Sequence, residues 1–200
     1  LVAVLLGTGN GALRIHGSFA VGQTPQALVL ADVNADGHLD AVTADYDGVS
    51  LTILHGDETG SFQPAPYSPV AVTSRPYGLR SADVNGDGRP DLVVGFEYAN
   101  TLQVFLSSAT GFEPARMGPP TYHATTTTFV VGDFDGDGRP DIVSRNLYES
   151  YEYAVYLGNG DGTFRSFPAG RISDSTSSVL TTGDFNGDGR LDLVGSGNQI

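Results

Sequence analysis

One nine-residue segment, Asp133–Asp141, combines acidic side chains and glycine at a spacing that suits a metal ion. It reads DFDGDGRPD, so aspartate fills positions 1, 3, 5 and 9 and glycine fills position 6. Carboxylate oxygens are hard ligands, and Ca²⁺ takes about six to eight oxygens in a flexible shell. Glycine at position 6 permits the positive φ angle that closes such a loop. The segment therefore predicts a calcium-binding loop, with the backbone carbonyl at position 7 as a further ligand.

The same pattern occurs four times along the chain. The first residues of the four loops are Asp32, Asp83, Asp133 and Asp184, which are 51, 50 and 51 residues apart. Four copies at a nearly constant period indicate a repeat array, so up to four Ca²⁺ ions are predicted. The third loop has four carboxylates where the others have three, and it should bind calcium most tightly. The predicted metal ligands, with position 7 acting through its carbonyl, are Asp32, Asn34, Asp36, His38 and Asp40; Asp83, Asn85, Asp87, Arg89 and Asp91; Asp133, Asp135, Asp137, Arg139 and Asp141; and Asp184, Asn186, Asp188, Arg190 and Asp192.

Short strand-like segments flank each loop. The residues before the first loop read ALVLA, and those that follow its seventh position read LDAVT, a composition typical of β-strands. An EF-hand uses a similar ligand pattern, but it needs helices on both sides and a glutamate at position 12. That position is occupied here by Thr43, Val94, Ser144 and Gly195. Each loop is therefore predicted to be the turn of a β-hairpin.

Each repeat predicts four strands. The first strand precedes the loop. The second follows it, as at Leu39–Ala44, Asp91–Phe96 and Asp141–Arg145, and the third, such as Ser50–Leu54, leads into a glycine-rich turn. A proline-interrupted fourth strand lies at the outer edge. The chain ends differ, because Leu1–Leu13 reads as a third strand and turn, whereas the last segment stops after a second strand. Together they complete one blade, so Leu1–Leu6 is predicted to pair with Leu191–Ser196, in the same chain or in a second copy. The predicted repeats are 26–76, 77–126, 127–176, and 177–200 completed by 1–25.

These loops and their period resemble the FG-GAP/VCBS repeat of integrin α-subunit propellers and of many secreted bacterial proteins. The resemblance covers the whole chain. It implies an all-β propeller of four four-stranded blades, with calcium between the first two strands of each blade. The expected domain is a single unit over residues 1–200, with one blade shared between the N- and C-terminal segments. Three arrangements stay open: a closed four-bladed ring, a homodimer completing an eight-bladed ring, or a piece of a larger propeller.

Composition excludes several classes of function. The formal net charge is −13, and the four loops hold thirteen aspartates, so the acidity is mostly predicted ligand charge. Such a chain lacks the basic face that nucleic acid needs, and no nucleic-acid partner is expected. All ten basic residues are arginine and cysteine is absent, which excludes lysine Schiff bases and thiol chemistry. No apolar run approaches the roughly 20 residues of a membrane span.

The connections opposite the calcium loops carry aromatic and acidic side chains. Alternate hairpin turns lie at opposite ends of a sheet, so the predicted ligand-binding residues are Tyr46, Tyr98, Tyr148, Tyr151 and Glu152. We expect a calcium-stabilised, non-enzymatic binding or adhesion module for a carbohydrate or a protein, with no catalytic residues, and the resemblance implies an extracellular, secreted setting. The alternatives are a polysaccharide hydrolase or lyase, with Glu97, Glu149 and Glu152 as candidate carboxylates, or a structural spacer.

Overall fold

The computed structural model describes residues 1–97, 99, 101–113, 116–120, 128–145, 152–167, 172–173 and 179–196. Within these ranges the regular secondary structure consists of β-strands, which confirms the predicted all-β class. The described residues form no helix that is long and apolar enough to cross a membrane. The chain divides into a leading hairpin, three larger sheets and a final hairpin.

The leading hairpin and the first larger sheet follow one another directly. The hairpin pairs β1 with β2 antiparallel, and the first blade has the order β3-β4-β5-β6, with β7 also paired to β5. The second and third strands of this blade match their predicted positions to within two residues at each end. The strands are β1 (Val2–Gly7), β2 (Leu13–Phe19), β3 (Pro25–Ala31), β4 (Asp40–Asp45), β5 (Ser50–Gly56), β6 (Phe62–Pro64) and β7 (Val70–Ala71).

The second and third blades repeat this plan. The second has the order β13-β10-β9-β8, with a small separate β11-β12 ladder, and the third has the order β14-β15-β16-β17, with β18 also paired to β16. The final hairpin pairs β19 with β20. The strands are β8 (Pro76–Ala82), β9 (Asp91–Phe96), β10 (Thr101–Phe105), β11 (Ser107–Ser108), β12 (Gly111–Phe112), β13 (Arg116–Pro120), β14 (Phe129–Gly132), β15 (Asp141–Arg145), β16 (Glu152–Gly158), β17 (Phe164–Ser166), β18 (Ile172–Ser173), β19 (Val179–Gly183) and β20 (Asp192–Ser196).

The hydrophobic cores lie between consecutive blades. Leu51 and Ile53 of the first blade pack in one cluster with Leu79 and Phe96 of the second. A second cluster joins the second and third blades, and a third joins the third blade to the final hairpin. The second strands β4 and β9 are buried along their whole length, because a sheet between two neighbours is covered on both faces. This face-to-face stacking explains why β9, which reads DLVVGF, is a nearly continuous apolar run rather than an alternating one.

The described residues do not confirm the predicted blade shared between the two terminal hairpins. In the described residues β1 pairs with β2, β20 pairs with β19, and no ladder joins the two hairpins. By position in the repeat, β1 and β2 are a third and a fourth strand, whereas β19 and β20 are a first and a second strand. Each hairpin therefore corresponds to half of the four-strand repeat.

Candidate functional site

The first aspartate of each loop organises the turn through backbone hydrogen bonds. In the second loop Asp83 Oδ1 accepts from the N–H groups of Gly86 at 2.7 Å and Asp87 at 3.1 Å. Its Oδ2 accepts from the N–H of Gly88 at 2.8 Å. The third and fourth loops repeat these three distances. The sequence repeat is thus a conformational repeat, and glycine at position 6 has a positive φ in every loop.

Positions 3, 5 and 7 continue the same turn. In the first loop Asn34 Oδ1 accepts from the Asp36 N–H at 2.8 Å, and Asp36 Oδ1 accepts from the His38 N–H at 2.8 Å. The bond from the His38 N–H holds the pKa of Asp36 below its ordinary value. In the third loop a hydrogen bond from the Arg139 side chain holds the pKa of Asp137 below its ordinary value. In both loops these hydrogen bonds favour the ionised form of the position 5 carboxylate.

The third loop brings three carboxylates together. Side-chain oxygens of Asp133, Asp135 and Asp141 lie within 4.8 Å of one another, close enough to share one metal ion. An all-oxygen donor set of this kind suits a hard cation such as Ca²⁺. The geometry fits the prediction that this loop, in which Asp135 replaces asparagine, presents the densest ligand charge.

The aspartate at position 9 connects the loop to the third strand. In the first blade Asp40 Oδ2 accepts from the Val33 N–H at 2.9 Å, and its Oδ1 accepts from the Gly56 N–H at 2.9 Å. The carboxylate is fully buried, and burial raises its pKa. We call this two-sided contact the carboxylate bridge. The equivalent bridges join Asp91 to Val84 and Ser107, and Asp141 to Phe134 and Gly158.

The carboxylate bridge has only one side in the fourth loop. Asp192 Oδ2 accepts from the Phe185 N–H at 2.9 Å, as in the other loops. In the described part of the chain, the contact to Phe185 is the one that is seen for Asp192. Asp192 is partly buried, whereas Asp40, Asp91 and Asp141 are fully buried.

A polar and aromatic cluster lies at the opposite end of the sheets. The Tyr46 hydroxyl donates a short hydrogen bond to Glu97 Oε2, and the Arg75 guanidinium carbon stands 5.0 Å from the Tyr46 ring centroid. Arg75 also approaches Asp47 at 3.8 Å, and the Tyr77 ring meets the Tyr46 ring edge-on at 6.4 Å. The bond to Glu97 raises the pKa of Tyr46. We call these five residues the Tyr46 cluster; they come from the first and second blades.

Comparison with known families decides the assignment. The profile of the FG-GAP-like repeat matches residues 32–94, 83–144 and 145–195, and two of the three matches begin on the first aspartate of a loop. The chain belongs to the FG-GAP-like repeat family. A comparison with curated proteins found no match.

Solved structures support a repeat β-propeller for this FG-GAP-like chain. BBS1N in complex with ARL6DN, soaked with lead, matches with a TM-score of 0.54 and 16% identity, over 90% of this chain and 55% of that one. The mercury-soaked form of the same complex matches with a TM-score of 0.53 and 17% identity, over 89% and 56%. At this identity the likeness concerns the fold. The chain spans about half the length of these solved chains.

The structure describes only part of the predicted ligand-binding set of this FG-GAP-like chain. Tyr46 lies in the opposite-end cluster, and Arg75 joins it although the sequence analysis did not single it out. The sequence could have indicated Arg75, because it directly precedes the first strand of a blade and so lies at the same end of the sheets as Tyr46. Tyr98, Tyr148 and Tyr151 lie outside the described residues, as does the side chain of Glu152.

A glycine at the end of the third strand offers a local test of the FG-GAP-like blade. A Cβ atom on Gly56 would stand 2.1 Å from the Leu39 carbonyl oxygen, whereas one on Gly7, the same position in the leading hairpin, would meet nothing within 4 Å. We expect Gly56→Ala to lower the free energy of unfolding by about 1–3 kcal/mol, because the backbone must move apart. Urea unfolding with Gly7→Ala as the matched control measures this, and equal stability of the two variants would contradict it.

Proposed function

We propose that this chain is a calcium-stabilised, non-enzymatic binding module whose ligand site lies at the end of the blades opposite the calcium loops. The observation that carries the proposal is the Tyr46 cluster, where an aromatic ring, a cation and two carboxylates meet beside an exposed second tyrosine. Such a cluster offers stacking, hydrogen bonds and charge on a rigid frame, which is what recognition needs.

Calcium is the proposed structural ion of up to four loops. The donor atoms in each loop are hard oxygens, and the third loop already gathers three carboxylates within 4.8 Å of one another. Extracellular calcium modules bind at about 10⁻⁴–10⁻³ M. Such sites are filled at the millimolar calcium outside cells, and for this reason we propose an extracellular setting. The ligands Asp, Asn and backbone carbonyl fill the calcium shell, so we assign the ion no catalytic role.

The ligand class we propose is a protein or a carbohydrate. Tyrosine serves both, because its ring covers apolar surface and its hydroxyl forms hydrogen bonds. A protein ligand is supported by the similar solved chain BBS1N, whose structures are complexes with ARL6DN. The position of the cluster also supports it: residues of two blades meet there, so the surface extends across a blade junction.

Binding arrays test this proposal with single substitutions. The labelled chain is applied in millimolar calcium to a glycan array and to a displayed peptide library, and the strongest ligands are remeasured by titration. We expect Arg75→Ala to weaken binding at least about tenfold, since one lost charged contact is worth roughly 1.5–3 kcal/mol. The Arg75 side chain is 54% exposed, so the melting temperature should stay unchanged.

The matched control is Glu58→Ala, which removes an exposed charge from the glycine turn at the calcium-loop end. It should leave binding unaltered. Equal weakening by both variants would place the site elsewhere on the molecule. Cleavage of a polysaccharide on the array, abolished by Glu97→Gln, would replace this proposal with the enzymatic alternative. An absence of any ligand would favour the spacer.

A further inference from the structure

An asparagine followed directly by a glycine occurs at four places in the chain. The asparagines are Asn10 in the turn of the leading hairpin, Asn85 and Asn186 in the second and fourth loops, and Asn159 in the glycine turn of the third blade. In such a pair the backbone nitrogen of the glycine can attack the side-chain carbonyl carbon of the asparagine, because glycine has no side chain to obstruct the approach. The surroundings of each pair therefore decide whether it reacts.

The pairs in the two loops are held apart by the hydrogen bonds of the turn. In the second loop the Gly86 N–H donates to Asp83 Oδ1 at 2.7 Å, and the Asn85 side-chain nitrogen donates to Asp87 Oδ2 at 3.0 Å. The fourth loop repeats both contacts. The glycine nitrogen must give up its proton and turn toward the asparagine, so a strong bond to a carboxylate has to break first. The loops thus protect their own asparagines.

The pair in the leading hairpin has the opposite arrangement. Asn10 Oδ1 accepts from the Ala12 N–H at 3.1 Å and from the Thr8 hydroxyl at 2.5 Å. The bond to Ala12 folds the side chain back over the Gly11 peptide. Among the residues that the structure describes, none accepts a hydrogen bond from the Gly11 N–H, and a Cβ atom on Gly11 would meet nothing within 4 Å. The attacking nitrogen is therefore unrestrained beside a side chain that is held in place.

The two donors on Asn10 Oδ1 also assist the reaction. Negative charge develops on this oxygen when the nitrogen attacks, and hydrogen-bond donors already aimed at it stabilise that charge. Asn159 lacks this assistance in the described part of the chain, where its side-chain nitrogen donates to Thr163 Oγ1 at 2.9 Å and its Oδ1 accepts no hydrogen bond. The expected order of reactivity is Asn10 first, Asn159 second, and Asn85 and Asn186 last.

We propose that Asn10 is a self-modification site, at which the hairpin turn converts asparagine into an aspartyl residue without an enzyme. The Gly11 nitrogen bonds to Asn10 Cγ and loses its proton, the bond from Cγ to the side-chain nitrogen breaks, and ammonia leaves. Water then opens the cyclic imide at either carbonyl and yields aspartate or isoaspartate. Each event adds a negative charge, and isoaspartate also lengthens the backbone inside a turn that is closed by the Thr8 N–H and the Ala12 carbonyl. This proposal depends neither on the ligand site nor on calcium.

Incorporation of labelled oxygen at the four asparagines tests the proposal. The intact chain is incubated at neutral pH in millimolar calcium, in water labelled with heavy oxygen, and then digested for peptide mass spectrometry. We expect Asn10 to react at least about tenfold faster than Asn85 and Asn186, because loss of a charge-assisted hydrogen bond slows attack by that factor or more. The same chain unfolded in urea is the control, and there the four sites should react at similar rates.

A single substitution tests the role of the hydroxyl. Thr8→Val keeps the shape of the side chain and removes one donor from Asn10 Oδ1, so it should slow the reaction at Asn10 at least about fivefold, less than the roughly 10²–10³ lost in a closed enzyme site. The matched control is Thr59→Val, in the exposed turn of the first blade, which should leave the Asn10 rate unchanged.

Three outcomes would overturn the proposal. Equal rates at Asn10 and Asn85 in the folded chain would show that the hairpin turn does not select the site. The same order of rates in urea would assign the difference to local sequence alone. An unchanged Asn10 rate in Thr8→Val, with an unchanged unfolding curve, would show that the turn does not assist the attack.

Discussion

Replacement of Asp91 by alanine is expected to lower the free energy of unfolding by about 2–6 kcal/mol. The substitution removes a buried acceptor from the N–H groups of Val84 and Ser107, which lie 3.0 Å and 2.8 Å from its two oxygens. A buried donor left without its partner costs roughly 1–3 kcal/mol, and here two are left. Urea unfolding in millimolar calcium, followed by tyrosine fluorescence, measures the loss.

Asp192→Ala is the matched control for this prediction. Asp192 occupies the same loop position and is the same predicted calcium ligand, but in the described structure it accepts one N–H, that of Phe185, and is only partly buried. Its replacement should cost less than half as much. Equal losses for the two variants would mean that position 9 acts through calcium alone, without the carboxylate bridge.

Removal of calcium is expected to lower the melting temperature by roughly 4–24 °C. At millimolar calcium a site of about 10⁻⁴–10⁻³ M contributes roughly 0.4–1.4 kcal/mol by mass action. Four such sites contribute about 2–6 kcal/mol, and in a domain of this size each kcal/mol shifts the melting temperature by about 2–4 °C. Differential scanning calorimetry of metal-free protein, with and without added calcium, measures the shift.

Two controls make the calcium experiment specific. Magnesium at the same concentration should restore little of the shift, because it keeps its water and demands a stricter geometry. Asp137→Ala should remove part of the calcium-dependent gain, whereas Glu58→Ala, in an exposed turn, should keep all of it. Identical melting curves in calcium and in excess chelator would rule out a structural role for the ion.

The repeat determined most of what the sequence could predict. Strand β9 was predicted at its observed bounds, and β15 was as well, because each begins at a position 9 aspartate and runs as a short apolar segment. Hairpin geometry also predicted which connections lie at which end of the sheets. Tyr46 was therefore predicted at the end opposite Asp36, where its cluster is found.

The sequence analysis did not predict the contacts between strands that are distant in the sequence. Position 9 was predicted only as a metal ligand, because its second partner, such as Gly56, lies 16 residues away on another strand. Phe96, at the end of β9, is fully buried between blades. Both faces of a blade are covered by neighbours, so the apolar run of β9 gave no alternation from which its packing could be predicted.

The carboxylate bridges also bear on how such a chain changes its length during evolution. Every bridge stays inside one blade, as Asp141 shows by bonding Phe134 and Gly158. A duplicated segment of about fifty residues brings its own loop, its own bridge and its own third strand. It also needs a face that packs against the blade on either side, which a copy of its neighbour already has. Gene duplication can therefore add or remove blades without rebuilding any of the existing loops.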